Sequence, residues 1–312
     1  MQKIESVATD MLPNSSSQDI VKTKRSSDLK ALFKTGIIQS NVMTALAGFL
    51  LALYQNQLQL NDYWFHLVFM LLGSAFVIAG GCVLNNYYDR DIDPVMSRTK
   101  KRPTVTGTIP LSVILILGII LSIVGVGFLL AISWQAGLLG LFGWFAYVVL
   151  YTMWSKRRYT LNTAIGSLSG AVPPLIGWAA IDPNLSFMAF VLFALIFVWQ
   201  TPHFLALAIK KNDEYQAANI PMLPVVHGFE VTKRQIIFYI VCLLPIPFLL
   251  YQLGLGLVLL GSALNIGWLI LSLKGLKNQD TYKWANKVFV YSLFYLLIIF
   301  VSIIMFTLPF VI

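Results

Sequence analysis

Residues 84–103 read LNNYYDRDIDPVMSRTKKRP and close a long apolar run with three aspartates and five basic residues. Asn85, Asp89 and Asp93 recur every four positions, so a helix would set three oxygen-bearing side chains along one face at roughly 6 Å intervals of rise. Asp91 falls on another face. A row of hard oxygen donors suits Mg²⁺ better than zinc, because magnesium takes one or two carboxylates and completes its shell with phosphate oxygens and water. Arg98, Lys100, Lys101 and Arg102 follow, cations suited to holding the rest of a diphosphate. A solvated loop on the positive side of a membrane accounts for these bases equally well.

A second polar segment, residues 199–225, reads WQTPHFLALAIKKNDEYQAANIPMLPV. Gln200, His203 and Lys210 lie near one helical face, with Asp213 and Glu214 just beyond the helix. A lone helical histidine is more often a hydrogen-bonded packing residue than a ligand; its place within an apolar segment, directly after Pro202, shifts the weight toward function. A third basic group, Lys156, Arg157 and Arg158 in YTMWSKRRYTLN, is either a topology signal or the far wall of an anion site. His66 and His227 have no comparable setting and read as structural.

These groups need a scaffold, and the composition says which kind. The 312-residue chain is 58% hydrophobic and 11% charged, more apolar than a water-soluble core of this size requires. It reads as an all-α polytopic membrane protein of about nine helices, with spans starting near Ile37, Trp64, Pro110, Trp134, Leu161, Leu185, Gln235, Gly254 and Ala285. Placed against those spans, all 22 Lys and Arg residues fall on one side, and the alternate loops contain none. The positive-inside rule then sets the amino terminus in the cytoplasm and the carboxyl terminus outside. The net charge of +9 follows from a basic face beside anionic lipid and does not call for nucleic acid.

Residues 1–34 read as a disordered cytoplasmic tail, without a signal-type apolar run, and residues 35–312 as the transmembrane domain. Glu5, Asp10, Asp19 and Asp28 argue against a mitochondrial presequence. Cys82 and Cys242 fall inside spans and suggest neither a disulfide nor a thiolate metal site. The polar inner loops follow the second and sixth spans, an arrangement expected of two related halves that converge on one cytoplasm-facing cavity. Gly166 and Gly170 would permit close helix packing, and Pro173 and Pro174 should kink or break the fifth span. Trp64, Trp134, Trp154, Trp178 and Trp284, near span ends, are expected to form an interfacial belt.

Asn-x3-Asp-x3-Asp at the end of the second span, with another polar motif after the sixth, resembles the UbiA superfamily of intramembrane prenyltransferases. Within it, the strings DRDIDPVMSRTKKRP, YTMWSKRRYTLN, GAVPPLIGW, WQTPHFLALAI and EYQAANIPMLPVV are similar, in order, to the haem O synthase (protohaem IX farnesyltransferase) family. The resemblance is strong over residues 40–228 and rests on hydropathy alone over the last three spans. It implies a UbiA-type helical bundle, farnesyl diphosphate and haem B as substrates, and Mg²⁺ held by Asn85, Asp89 and Asp93 with Glu214, helped by Asp213, from the second half. Arg98, Lys101, Arg102, Lys156 and Arg157 would clamp the diphosphate. His203 and Lys210 stand where other members have carboxylates, which puts a second full metal site in doubt and gives His203 the task of facing the haem acceptor.

The implied reaction breaks the allylic C–O bond of farnesyl diphosphate, joins the farnesyl carbon to a haem vinyl group, and adds water, releasing diphosphate and giving haem O. The implied setting is a bacterial plasma membrane, with haem A synthase or terminal-oxidase assembly as partner. Three rivals are a UbiA-type enzyme acting on a quinone precursor, a cation-coupled transporter, and a haem-holding assembly factor. The acidic residues cluster at one membrane face and none lies mid-span, which weighs against the transporter. The assembly factor would need His203 but not the Asn/Asp row.

Overall fold

The computed structural model describes residues 28–277 and 280–312; most of the expected tail, residues 1–27, lies outside them. In hydrocarbon every backbone polar group must be satisfied within its own segment, so the long apolar runs fold as helices. With one short polar helix among them, the helices that frame the site are, in chain order, α1 (Thr35–Gln55), α2 (Trp64–Tyr88), α3 (Leu111–Leu130), α4 (Trp134–Phe145), α5 (Asn162–Ala171), α6 (Pro173–Ala179), α7 (Phe187–Lys210), α8 (Asn212–Ala217), α9 (Leu223–Leu243), α10 (Leu255–Leu273) and α11 (Thr281–Val311). No strand occurs among the described residues.

Eight helical stretches are long and apolar enough to cross a membrane. The ninth expected span is present as α5 and α6, broken where Pro173 and Pro174 open the second piece. Proline fixes φ and lacks an N–H, so it is accommodated at a helix's first turn and interrupts the turn before it. On α3 the outward side chains of Ile116, Ile120 and Ile123 are each more than half exposed, as a lipid-facing surface requires.

Small residues bring α1 and α6 into backbone contact. A Cβ added at Gly48 would lie 2.2 Å from the Pro174 carbonyl oxygen, and one at Gly177 would lie 1.9 Å from that of Ala45. Lipid tails offer no hydrophobic drive for helix association, so such close approach is how a bundle gains van der Waals contact. This contact explains one departure from the tryptophan expectation. Trp64, Trp134 and Trp154 are exposed near helix ends, but Trp178 and Trp284 are 0% and 1% exposed. Trp178 rides on α6 into the core drawn together by these glycines. Trp284 packs on Gly275 and donates its indole N–H to the Leu271 carbonyl at 3.1 Å.

Residues 28–33, assigned above to the tail, are helical, and Leu32 is fully buried with Val83 and Ile114. Side-chain bonds sort the loops into two ends. At one end Asn86 reaches Leu32, Arg157 reaches Asp91, Ser97 reaches Glu214, and Tyr282 reaches Asp213, tying together the lysine- and arginine-bearing segments. At the other, Gln55 meets Gln252 at 3.2 Å and Ser133 donates to the Ala179 carbonyl at 2.7 Å, both in loops without basic residues.

Candidate active site

A cavity of about 340 Å³ opens among α1, α2, α4, α5 and α7 toward the basic end. Its deeper wall is apolar, with Val77, Ile78, Trp144, Ile176, Ile196 and Leu296 among the lining residues. Its polar end is built by the close of α2. That helix stops at Tyr88, and the chain continues as two tight 3₁₀ turns, Asp89–Asp91 and Asp93–Val95. The single helical face expected for Asn85, Asp89 and Asp93 therefore does not extend past Tyr88. Pro94 is one reason, since it disfavours the α conformation at Asp93 and supplies no N–H. The turns still bring all three side chains to the cavity, where they are 3%, 1% and 2% exposed. Asp91 points away and pairs with Arg157 through both carboxylate oxygens at 2.7 Å.

Each buried oxygen row faces a cation. Arg102 donates to both oxygens of Asp93 at 2.9 and 2.7 Å, and Thr99 fixes the same turn by donating to the Asp93 carbonyl. Lys156 is paired with Asp89 Oδ2, while Arg157 stands 3.6 Å from Asp89 Oδ1. Asn85 accepts from Lys34 and donates to Asp89 and Thr152 at 3.0 Å. Desolvation within the protein lowers the Lys34 ammonium to about 7.

The Lys156 side chain arrives through an unusual winding. After α4 the chain continues as a π-helix, Ala146–Ser155, in which the Lys156 N–H bonds to the Tyr151 carbonyl at 2.9 Å. In an α-helix the nine steps from Tyr147 to Lys156 would make about two and a half turns and set them on opposite faces. The wider i+5 spiral makes about two turns, so Tyr147, Tyr151 and Lys156 all reach the cavity. Sequence reasoning missed both tyrosines and Lys34; the signal for the tyrosines was their spacing before Lys156, legible only once the π winding is known.

Of the site residues expected from sequence, Asn85, Asp89, Asp93, Arg98, Arg102, Lys156 and His203 line the cavity. Lys101, Arg157, Lys210, Asp213 and Glu214 are not among its lining residues. Lys101 lines a smaller adjoining cavity, and Lys210 lies 5.0 Å over the Phe289 ring. Asp213 accepts from the Tyr282 hydroxyl at 3.0 Å. Glu214 accepts from Ser97 and Lys211, both at 2.7 Å, latching the second half onto the loop that carries Asp93. Burial would raise the Glu214 carboxyl; those two hydrogen bonds outweigh it and hold the group below its ordinary value. Gly170 packs against Gln200, since an added Cβ would lie 2.5 Å from the amide, and Gly166 packs against the Tyr151 ring.

His203 is held between the Trp199 and Phe289 rings, with centroids 4.9 and 4.8 Å away. The Ser292 hydroxyl donates to the Phe289 carbonyl, so its 2.7 Å bond with His203 Nδ1 is one in which the ring N–H donates. Nε2 is left with its lone pair.

The donor set suits a hard divalent cation. Asp89 Oδ1 is buried without a hydrogen-bond partner, and Asn85 and Asp93 line the same cavity. No three His, Cys, Asp or Glu side chains converge among the described residues, so two carboxylates and an amide would leave positions for phosphate oxygens, as magnesium prefers. Cys82 and Cys242 are both free thiols.

Residues 41–307 match the family model described as the UbiA prenyltransferase family. A protein of Oceanobacillus iheyensis named protoheme IX farnesyltransferase is 53% identical over 99% of each chain. One of the same name from Bacillus cereus is 55% identical over 92% of this chain and 94% of its own. Among solved structures, a digeranylgeranylglyceryl phosphate synthase superposes with a TM-score of 0.70 at 18% identity, covering 91% of this chain and 98% of that one. A UbiA homologue from Archaeoglobus fulgidus bound to GPP and Mg²⁺ gives 0.65 at 13% identity, covering 91% and 99%. At such identities the likeness is one of fold.

Proposed function

The chain belongs to the UbiA prenyltransferase family, and from that premise we propose that it transfers the farnesyl group of farnesyl diphosphate to a vinyl group of haem B, with addition of water, giving haem O and diphosphate. The observation that carries the reading is the buried Asn85, Asp89 and Asp93 wall facing Lys34, Arg102 and Lys156 at the head of an apolar cavity. Such a cavity accepts an isoprenoid chain at one end and its diphosphate at the other. The relatives named protoheme IX farnesyltransferase supply the identity of the acceptor.

Mg²⁺, when bound, neutralises diphosphate charge and stabilises the leaving group. Asn85, Asp89 and Asp93 would hold it. Arg102 and Lys156, here paired with Asp93 and Asp89, are the cations that would hold the phosphate oxygens once those carboxylates serve the ion. Glu214 keeps the Asp93 loop in place through Ser97.

The allylic C–O bond breaks with its electron pair leaving on diphosphate, where the cations stabilise the growing charge. The apolar wall keeps water from the farnesyl cation until the vinyl π pair forms the new C–C bond. Water then adds to the carbon beside the porphyrin ring and releases a proton. His203, fixed by Ser292, would offer Nε2 to the haem iron and so orient the vinyl group.

The basic end faces the cytoplasm of a bacterial plasma membrane, with the amino terminus inside and the carboxyl terminus outside, and the product passes to haem A synthase or to terminal-oxidase assembly. The test is purified protein with haem B, farnesyl diphosphate and Mg²⁺, followed by mass analysis of the haem. A gain of farnesyl plus water that is lost with chelator supports the proposal. Unchanged haem beside a prenylated quinone precursor in a parallel reaction would replace it with the other UbiA-type activity.

A further inference from the structure

Lys34 precedes residues 41–307, the stretch matched by the family model, yet its side chain lines the cavity. Its backbone is left-handed (φ 54°, ψ 55°), a conformation disfavoured for a residue with a Cβ that persists only where the surroundings impose it. Two contacts impose it here. Leu32 is fully buried against Val83 and Ile114, and Asn86, itself fully buried, donates to the Leu32 carbonyl at 2.8 Å. Asn86 adjoins Asn85, so one turn of α2 anchors the segment that delivers Lys34 to the site.

The cations around the cavity differ in what they already hold. Arg102 and Lys156 are committed to Asp93 and Asp89, and Arg98 is exposed. Among the described residues Lys34 bonds only the neutral Asn85 and Tyr147 side chains. It also lines, with Lys30, Arg98, Lys101 and Arg102, an adjoining cavity of about 220 Å³ that no carboxylate among the described residues lines. An anion entering from this side meets Lys34 without breaking an ion pair.

We propose that Lys34 is a diphosphate-binding residue and that Asn86 is the positioning residue that holds it in place. The inference rests on the prenyl diphosphate reading of the main cavity. Losing one charge-assisted bond to an anion weakens binding by about ten- to a hundredfold.

The experiment is calorimetric titration of the full chain in detergent with inorganic diphosphate and Mg²⁺, together with KM values for farnesyl diphosphate and haem B. Lys34→Met should weaken diphosphate binding by that factor and raise the KM for farnesyl diphosphate, leaving the KM for haem B unchanged. Lys34→Arg should stay within about threefold of wild type. Asn86→Ala should weaken diphosphate in the same direction, and the double variant should be no worse than Lys34→Met alone, which a merely structural asparagine would not produce. Unchanged diphosphate affinity in Lys34→Met overturns the assignment while the reaction stands. Wild-type protein that binds no diphosphate at all overturns the reading beneath it.

Discussion

Replacing Arg102 by Met probes how the site keeps its charges without substrate. Arg102 and Asp93 have side chains 9% and 3% exposed and are joined by two short hydrogen bonds. Removing one partner of a buried pair leaves the other charge uncompensated, a loss of about 3–5 kcal/mol. Methionine fills similar volume, so packing contributes little of that. Lys156 and Arg157 are occupied with Asp89 and Asp91 and cannot replace it without leaving another carboxylate unpaired. Arg102→Met should therefore unfold in detergent at a temperature several degrees lower, read by thiol labelling of buried Cys82. Adding Asp93→Asn should restore most of the loss, because the orphaned charge is then gone, while turnover stays absent. Mg²⁺ with diphosphate should raise the melting temperature of Arg102→Met by more than it raises wild type, since the ion supplies the missing positive charge. A variant as stable as wild type, or a double variant as unstable as the single, would refute the claim that Asp93 is a buried charge held by Arg102.

Asp89→Asn keeps the side chain's shape and removes its charge; turnover should fall by at least about a hundredfold while the protein remains inserted and folded, measured by haem conversion and size-exclusion profile. Gly177→Leu should abolish accumulation of folded protein, because its Cβ alone would lie 1.9 Å from the Ala45 carbonyl oxygen and backbone cannot swing aside. His203→Ala should raise the KM for haem B and remove any Soret shift on haem binding, with the affinity for diphosphate unchanged. Glu214 has a folded-state value below its ordinary 4.5, so its contribution is complete above that pH and is lost as pH falls through the lower folded value. The stability gap between wild type and Glu214→Gln should close on acidification and stay constant near neutrality.

What could be read directly was whatever depends on residue type and local spacing. The apolar runs required helices because lipid offers no other partner for backbone groups, and the one-sided lysines and arginines ordered the loops that the structure gathers at one end. Pro173 and Pro174 broke their span through covalent geometry alone. Asn85, Asp89 and Asp93 pointed by type to the hard-cation and phosphate chemistry proposed above, although the helix that would have aligned them stops at Tyr88. Tertiary structure decided what distant segments do to one another. The π winding after α4 turned Tyr147 and Tyr151 onto the face of Lys156, a choice between near-equal windings that only packing resolves. The α1–α6 glycine contact buried Trp178, which composition had placed at the interface. Asn86 drew a polar amino-terminal segment onto the bundle and Lys34 into the site. Glu214 became a latch, because its distance from the cavity is set by where α8 meets the Ser97 loop rather than by any local pattern.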